Sequence, residues 1–146
     1  MPRAFLDVAK QAALHADLAR GDVLYRVVWR LTHGEPALLE VAVDADVRAL
    51  GRLADAVRHD VHRAHAFVRF VRVEQAGDDG APVETFVAWH RPDHWIVEEA
   101  APFFARRFGA MRWSILTDKG SAYWDGAELR FGPAVPREEA PAADAL

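Results

Sequence analysis

The chain has 146 residues, 51% of them hydrophobic, with a formal net charge of -4 and no cysteine. That length suits one domain with a real core. The missing thiols exclude disulfides, zinc–thiolate sites, iron–sulfur clusters and cysteine nucleophiles. The slight acidity argues against a wholly basic nucleic-acid binder but leaves room for one basic face. No apolar run reaches 18 residues, so no membrane span is predicted. The start, M-P-R-A-F-L-D, lacks a signal peptide's charged and apolar blocks, and cytoplasm is the expected compartment.

Residues 2–19 read as a first helix, with Pro2 suited to its first position. Gly21 and Asp22 break it and cap a second helix over 23–32. Leu24, Tyr25, Val27, Val28, Trp29 and Leu31 leave that helix almost no polar face, which predicts burial on most sides; Gly34 ends it. The longest predicted element follows. Val47, Leu50, Leu53, Val57, Val61 and Ala64 recur at three- and four-residue steps, and Asp44 is placed to cap the helix they define. On that helix Asp55, Arg58, His62 and His65 border the apolar face, while Arg52, His59 and Arg63 point to water. The helix hands directly to a strand over 67–74, rich in aromatic and β-branched residues.

A-G-D-D-G-A-P is a loop by composition, and a second strand over 83–90 completes a hairpin. H-R-P-D-H-W turns the chain, and Asp93 is placed to cap a helix over 94–108 that Pro102 should kink or split. Strands are predicted over 111–117, 121–124 and 127–131, joined by Asp118-Lys119-Gly120 and Asp125-Gly126 turns. The class is α+β: N-terminal helices packed on an antiparallel sheet of about five strands, with one kinked crossing helix. Residues 1–131 read as a single domain and 132–146 as a Pro/Ala-rich tail or linker.

Three constellations could carry chemistry. His59, His62 and His65 sit at steps of three, which rotate each side chain by about 60°, so all three cannot face one ion. No metal site and no cofactor are expected, since H-E-x-x-H, Walker and G-x-G-x-x-G patterns are missing. In W-H-R-P-D-H-W, His90 and His94 with Asp93 could form an acid–base pair; a plain capped turn explains the same residues. The third is the arginine set Arg58, Arg63, Arg69, Arg72, Arg106, Arg107 and Arg112. Arginine forks phosphate, and five tryptophans offer stacking surfaces. The bland counterpart is a helix end closed by Arg106 and Arg107, with Arg69 and Arg72 paired to Glu84 across the hairpin.

The ordered series V-R-H-D-V-H-R-A-H-A-F-V-R-F, F-V-A-W-H-R-P-D-H, A-A-P-F-F-A-R-R-F, M-R-W-S-I-L-T and Y-W-D-G resembles a bacterial domain of unknown function assigned to DNA metabolism. The resemblance spans nearly the whole chain. It implies a DNA repair or modification context, with a uracil-DNA glycosylase-like domain fused to it or a radical-SAM protein beside it. That family continues beyond both ends of this chain, so the chain looks like an excised piece, and Arg63-Ala64-His65 departs from its pattern. It supplies no catalytic residues.

The reading that follows is an accessory domain binding DNA through Arg58, His62, Arg69 and Arg107, with Trp113, Trp89 or Trp95 to stack. One alternative is a nucleic-acid- or nucleotide-processing enzyme using His62, Asp93 and His94. The other is a docking module for the glycosylase-like or radical-SAM partner.

Overall fold

A computed structural model describes residues 2–141. The chain divides into two compact units, Met1–Asp60 and Val61–Leu146, and one helix runs across the boundary.

The first unit begins with α1 (Arg3–Ala12) and α2 (Arg20–Thr32). α1 stops well short of residue 19. The Asp17 N–H donates to His15 Nδ1 and the Ala19 N–H to Asp17 Oδ1, each at 2.9 Å. Such short-range side-chain acceptors offer the backbone an alternative to continuing the helix. Pro2 occupies the cap position of α1 rather than its first turn. α2 buries only one stripe, Val23, Val27 and Leu31, and leaves Tyr25 70% and Trp29 49% exposed. The expected all-round burial is therefore corrected: composition counts apolar residues around a helix but cannot say which sides meet a partner. The stripe packs with Phe5, Ala12, Leu38, Leu50 and Ala54.

After Gly34, whose φ of 99° suits the residue following a helix end, a short 3-10 turn (Leu38–Glu40) leads to α3 (Ala45–Phe67). Asp44 caps α3 as expected, its Oδ1 accepting from the Asp46 and Val47 N–H groups at 2.9 and 3.1 Å. The same carboxylate is gripped by Arg30, which also holds Glu35 and Asp46. Arg30, with the Val47 N–H behind it, pulls the Asp44 carboxyl down to about 2. Glu35 is lowered too, chiefly by its bonds to Arg30.

The second unit holds the end of α3, β1 (Val71–Ala76), β2 (Pro82–Trp89), α4 (Val97–Arg107), β3 (Trp113–Thr117), β4 (Gly120–Trp124) and β5 (Leu129–Gly132). The five strands lie side by side in chain order. Three pairings are antiparallel, and β2–β3 is parallel. The reason is α4. A helix between neighbouring strands carries the chain back to the end from which β2 started, so β3 runs the same way as β2. This is the α+β class predicted, with a mixed sheet.

Local boundaries shift for identifiable reasons. α3 runs on through Phe67, and a three-residue link precedes β1, so Arg69 is in neither element. α4 starts at Val97 with Ile96 in the cap position, because the Asp93 carboxylate goes to Arg63 instead, at 2.6 Å. Pro102 lies within α4, which remains one element; its ring nitrogen forfeits a single helix bond. Beyond β5 the chain stays bonded to the sheet. Val135 N–H donates to Thr117 O (2.9 Å), Trp89 Nε1–H to Val135 O (3.1 Å) and Ser121 Oγ–H to Pro133 O (2.9 Å). Arg137 lies over the Trp89 ring. The end of the expected tail, residues 142–146, falls outside the described residues.

Candidate nucleic-acid interface

An aromatic cluster organises one end of the second unit. Phe70 meets Phe104, Phe108 and Trp113 at centroid distances of 6.0, 5.7 and 6.0 Å, and Phe104 meets Trp113 at 6.2 Å. Each of Phe70, Phe108 and Trp113 has an arginine immediately before it in the chain: Arg69, Arg107 and Arg112. Phe70 and Phe108 are half-buried and Trp113 is buried, while the arginines that precede them, and Arg106 beside Arg107, are exposed.

These arginines differ from most others in the unit. Arg63 holds Asp93, Arg72 holds Glu84 across the hairpin, and Arg130 holds Glu128 at 3.0 Å. Among the described residues Arg69, Arg106, Arg107 and Arg112 form no ion pair with a carboxylate. Arg69 Nη1 instead donates to Ala66 O and Val68 O, at 2.8 and 3.1 Å, and so closes the end of α3. The rest of its guanidinium stays available. Arg107 lies 5.6 Å from the Phe108 ring centre. Both Arg106 and Arg107 sit in the last turn of α4, where cations complement the helix dipole. Phe67, 65% exposed, adds an aromatic face at the end of α3.

The other predicted site residues separate. Arg58 belongs to the first unit and pairs with Asp55 at 2.5 Å. His62 is exposed on α3. His65, one turn on, stacks on Phe103 at 4.1 Å. Burial, with the nearby His62 and Arg106 cations adding to it, pushes its imidazole below the ordinary histidine value against a hydrogen bond with Ala100. Trp113 is 1% exposed, so its ring cannot stack on a base. That expectation is corrected: in the strand run M-R-W-S-I-L-T, alternation turns Trp113 to the same face as Ile115, under α4. Its indole N–H is buried with no partner, and nothing in the structure explains it. Trp89 is covered by Arg137, whereas Trp95 is 51% exposed.

Of the acid–base candidates, Asp93 pairs with Arg63 at 2.6 Å, His94 is 9% exposed and His62 is exposed. Among the described residues no three or more His, Cys, Asp or Glu side chains gather closely enough to hold a metal ion. No helix among them is long and apolar enough to cross a membrane.

Sequence reasoning missed a second polar surface. Gln75, Thr85, Ser114, Tyr123 and Arg130, with Arg112, border a cavity of about 260 Å³. Each lies on a different strand or at a strand end, and only the strand register brings them to one place. No local pattern signalled it: Val83-Glu84-Thr85-Phe86-Val87 does not alternate polar with apolar residues.

No curated protein and no solved structure matches this chain. A family profile does match, over residues 19–142, which is most of the chain and all of the elements from α2 onward. The chain accordingly belongs to the family described as the domain of unknown function DUF4130.

Proposed function

We propose that this protein is a nucleic-acid-binding accessory domain of a DNA repair or modification system. Its contact surface is the arginine end of the second unit: Arg69, Arg106 and Arg107 for phosphate, with His62 on α3 adding charge when protonated. One observation carries the reading. In a chain of net charge -4, Arg69 and Arg107 adjoin the Phe70–Phe104–Phe108 packing in sequence, Arg106 adjoins Arg107, and none of the three has a carboxylate partner among the described residues. Unpaired guanidiniums suit phosphate, because each can fork its oxygens bidentately and no existing ion pair has to be broken on binding.

Anisotropy of labelled single- and double-stranded oligonucleotides across a salt series tests it. Three phosphate contacts to duplex give a log–log slope near ~-2.7, or about a 40-fold loss of affinity between roughly 50 and 200 mM salt. Arg106→Ala and Arg107→Ala should each lower the slope by about 0.9 while the melting temperature holds. A wild-type protein that binds neither oligonucleotide at low salt sinks the reading.

A docking role is the second reading, and it rests on the first unit. Tyr25 and Trp29 stand one turn apart on α2, 70% and 49% exposed, with Trp29 stacked on His33 at 4.3 Å. Exposed aromatic pairs of this kind are typical anchors for a partner protein. The resemblance would make that partner a uracil-DNA glycosylase-like domain or a radical-SAM protein. Co-expression pull-down with Trp29→Ala as control decides it; equal capture by both forms removes the role from this surface.

A further inference from the structure

The strand register sorts the side chains onto two faces of the sheet. Ile115 of β3 and Ala122 of β4 are register partners, and both line the space beneath α4. Ser114 and Tyr123, the neighbouring register pair, face the other way, and Tyr123 is in turn opposite Arg130 of β5. Two residues back along β3 comes Arg112, level with Thr85 of β2, which is opposite Val73, two residues from Gln75. Alternation thus puts these polar side chains on the sheet face away from α4, around the cavity of about 260 Å³.

Their bonding is uneven. Arg130 is engaged by Glu128, and Asp125 Oδ1 accepts from the Ala127 and Glu128 N–H groups at 2.9 and 2.8 Å. Arg112 has no such partner among the described residues. The Thr85 hydroxyl is buried, in a residue 2% exposed, and has no hydrogen-bond partner among the described residues. A buried hydroxyl without a partner is unusual in a native fold and calls for an explanation at the site itself. Tyr123 leans over β5: a methyl added at Gly132 would come within 3.1 Å of its ring. The ring is thereby set in place while still 37% exposed.

We propose that this cavity binds one nucleotide unit, a phosphate with a planar base, either free or presented by a strand. Arg112 forks the phosphate, Tyr123 stacks on the base, and Ser114 and Gln75 meet its polar edge. The volume lies just under the range of small-ligand sites, about 300 Å³ and upward, which suits a single nucleotide and not a larger cofactor. The strand form of the proposal rests on the nucleic-acid reading above; the free-nucleotide form does not.

Calorimetric titration with the four deoxynucleoside 5′-monophosphates, inorganic phosphate and a short single-stranded oligonucleotide tests it. The monophosphates should bind saturably at millimolar concentration or tighter. Arg112→Ala should weaken them about ten-fold or more, the loss of one charge-assisted contact. Tyr123→Ala should weaken them about five-fold or more, and Tyr123→Phe should restore stacking. Arg107→Ala should leave monophosphate affinity unchanged while weakening the oligonucleotide. Unchanged melting temperatures exclude unfolding as the cause. Oligonucleotide binding without monophosphate binding overturns the cavity and spares the interface; the reverse result supports the cavity with free nucleotide as its source and sinks the interface. Inorganic phosphate binding as tightly as the nucleotides, or an Arg112→Ala variant equal to wild type, also overturns the proposal.

Discussion

Two threonines in the same sheet should respond oppositely to the same substitution. Thr85 and Thr117 are 2% and 1% exposed, both in strands next to β-branched or apolar neighbours. Valine copies the shape of either and keeps the stiff χ1 that strands favour. The difference is bonding. Thr117 Oγ1 donates to Gly120 O at 2.6 Å and accepts from the Lys119 N–H at 2.9 Å, closing the β3–β4 turn. Thr85 Oγ1 has no partner among the described residues. Thr117→Val therefore removes two hydrogen bonds and strands their partners, a loss of about 2–3 kcal/mol, whereas Thr85→Val relieves an uncompensated desolvation of about 1–2 kcal/mol. At roughly 4 °C per kcal/mol for a chain of this size, the melting temperature should fall by about 8–12 °C for the first and rise by about 4–8 °C for the second. Thermal melts with urea titrations measure both, and an unchanged m-value shows that the shift is one of stability and not of the surface exposed on unfolding. If Thr85→Val is destabilising, the hydroxyl has a partner such as an ordered water. If it stabilises and also weakens nucleotide binding, the hydroxyl is kept for function at the expense of stability.

Acid should act on the first unit through Asp44. Its folded value of about 2 lies below the ordinary carboxylate value near ~3.9, so its contribution is complete above that value and is lost as pH falls through 2. Arg30→Leu should therefore lower the melting temperature clearly at pH 6 and little near pH 2; an equal drop at both would mean that the ion cluster contributes nothing through Asp44. Truncation should have graded effects at the other end. Among the described residues, removing 137–146 loses the Arg137–Trp89 contact and no hydrogen bond to the sheet, whereas removing 133–146 also loses three hydrogen bonds to the sheet, at about 1 kcal/mol each. Equal melting temperatures for the two truncated proteins would show that residues 133–136 do not hold to the sheet in solution.

Local information was legible in the sequence. The step of three and four apolar residues found α3 nearly to its ends, and Asp44 was recognised as its cap because the signal lies within three residues of the bonds it makes. The two turns around β4 were likewise readable from Asp118-Lys119-Gly120 and Asp125-Gly126. Arginine at the end of the aromatic runs was visible, but which guanidiniums are free was not. Arg72 and Arg69 look alike in the chain; one reaches Glu84 across a strand pair, and the other turns back to close a helix. Tertiary structure alone decided that Trp113 is buried, that β2 and β3 run parallel, and that residues from position 75 to position 130 share one cavity. The physical reason is the two-residue period of a strand. It says that side chains alternate, but which side is covered and what lies across from each residue depend on α4 and on register, and both are set by contacts far apart in the chain.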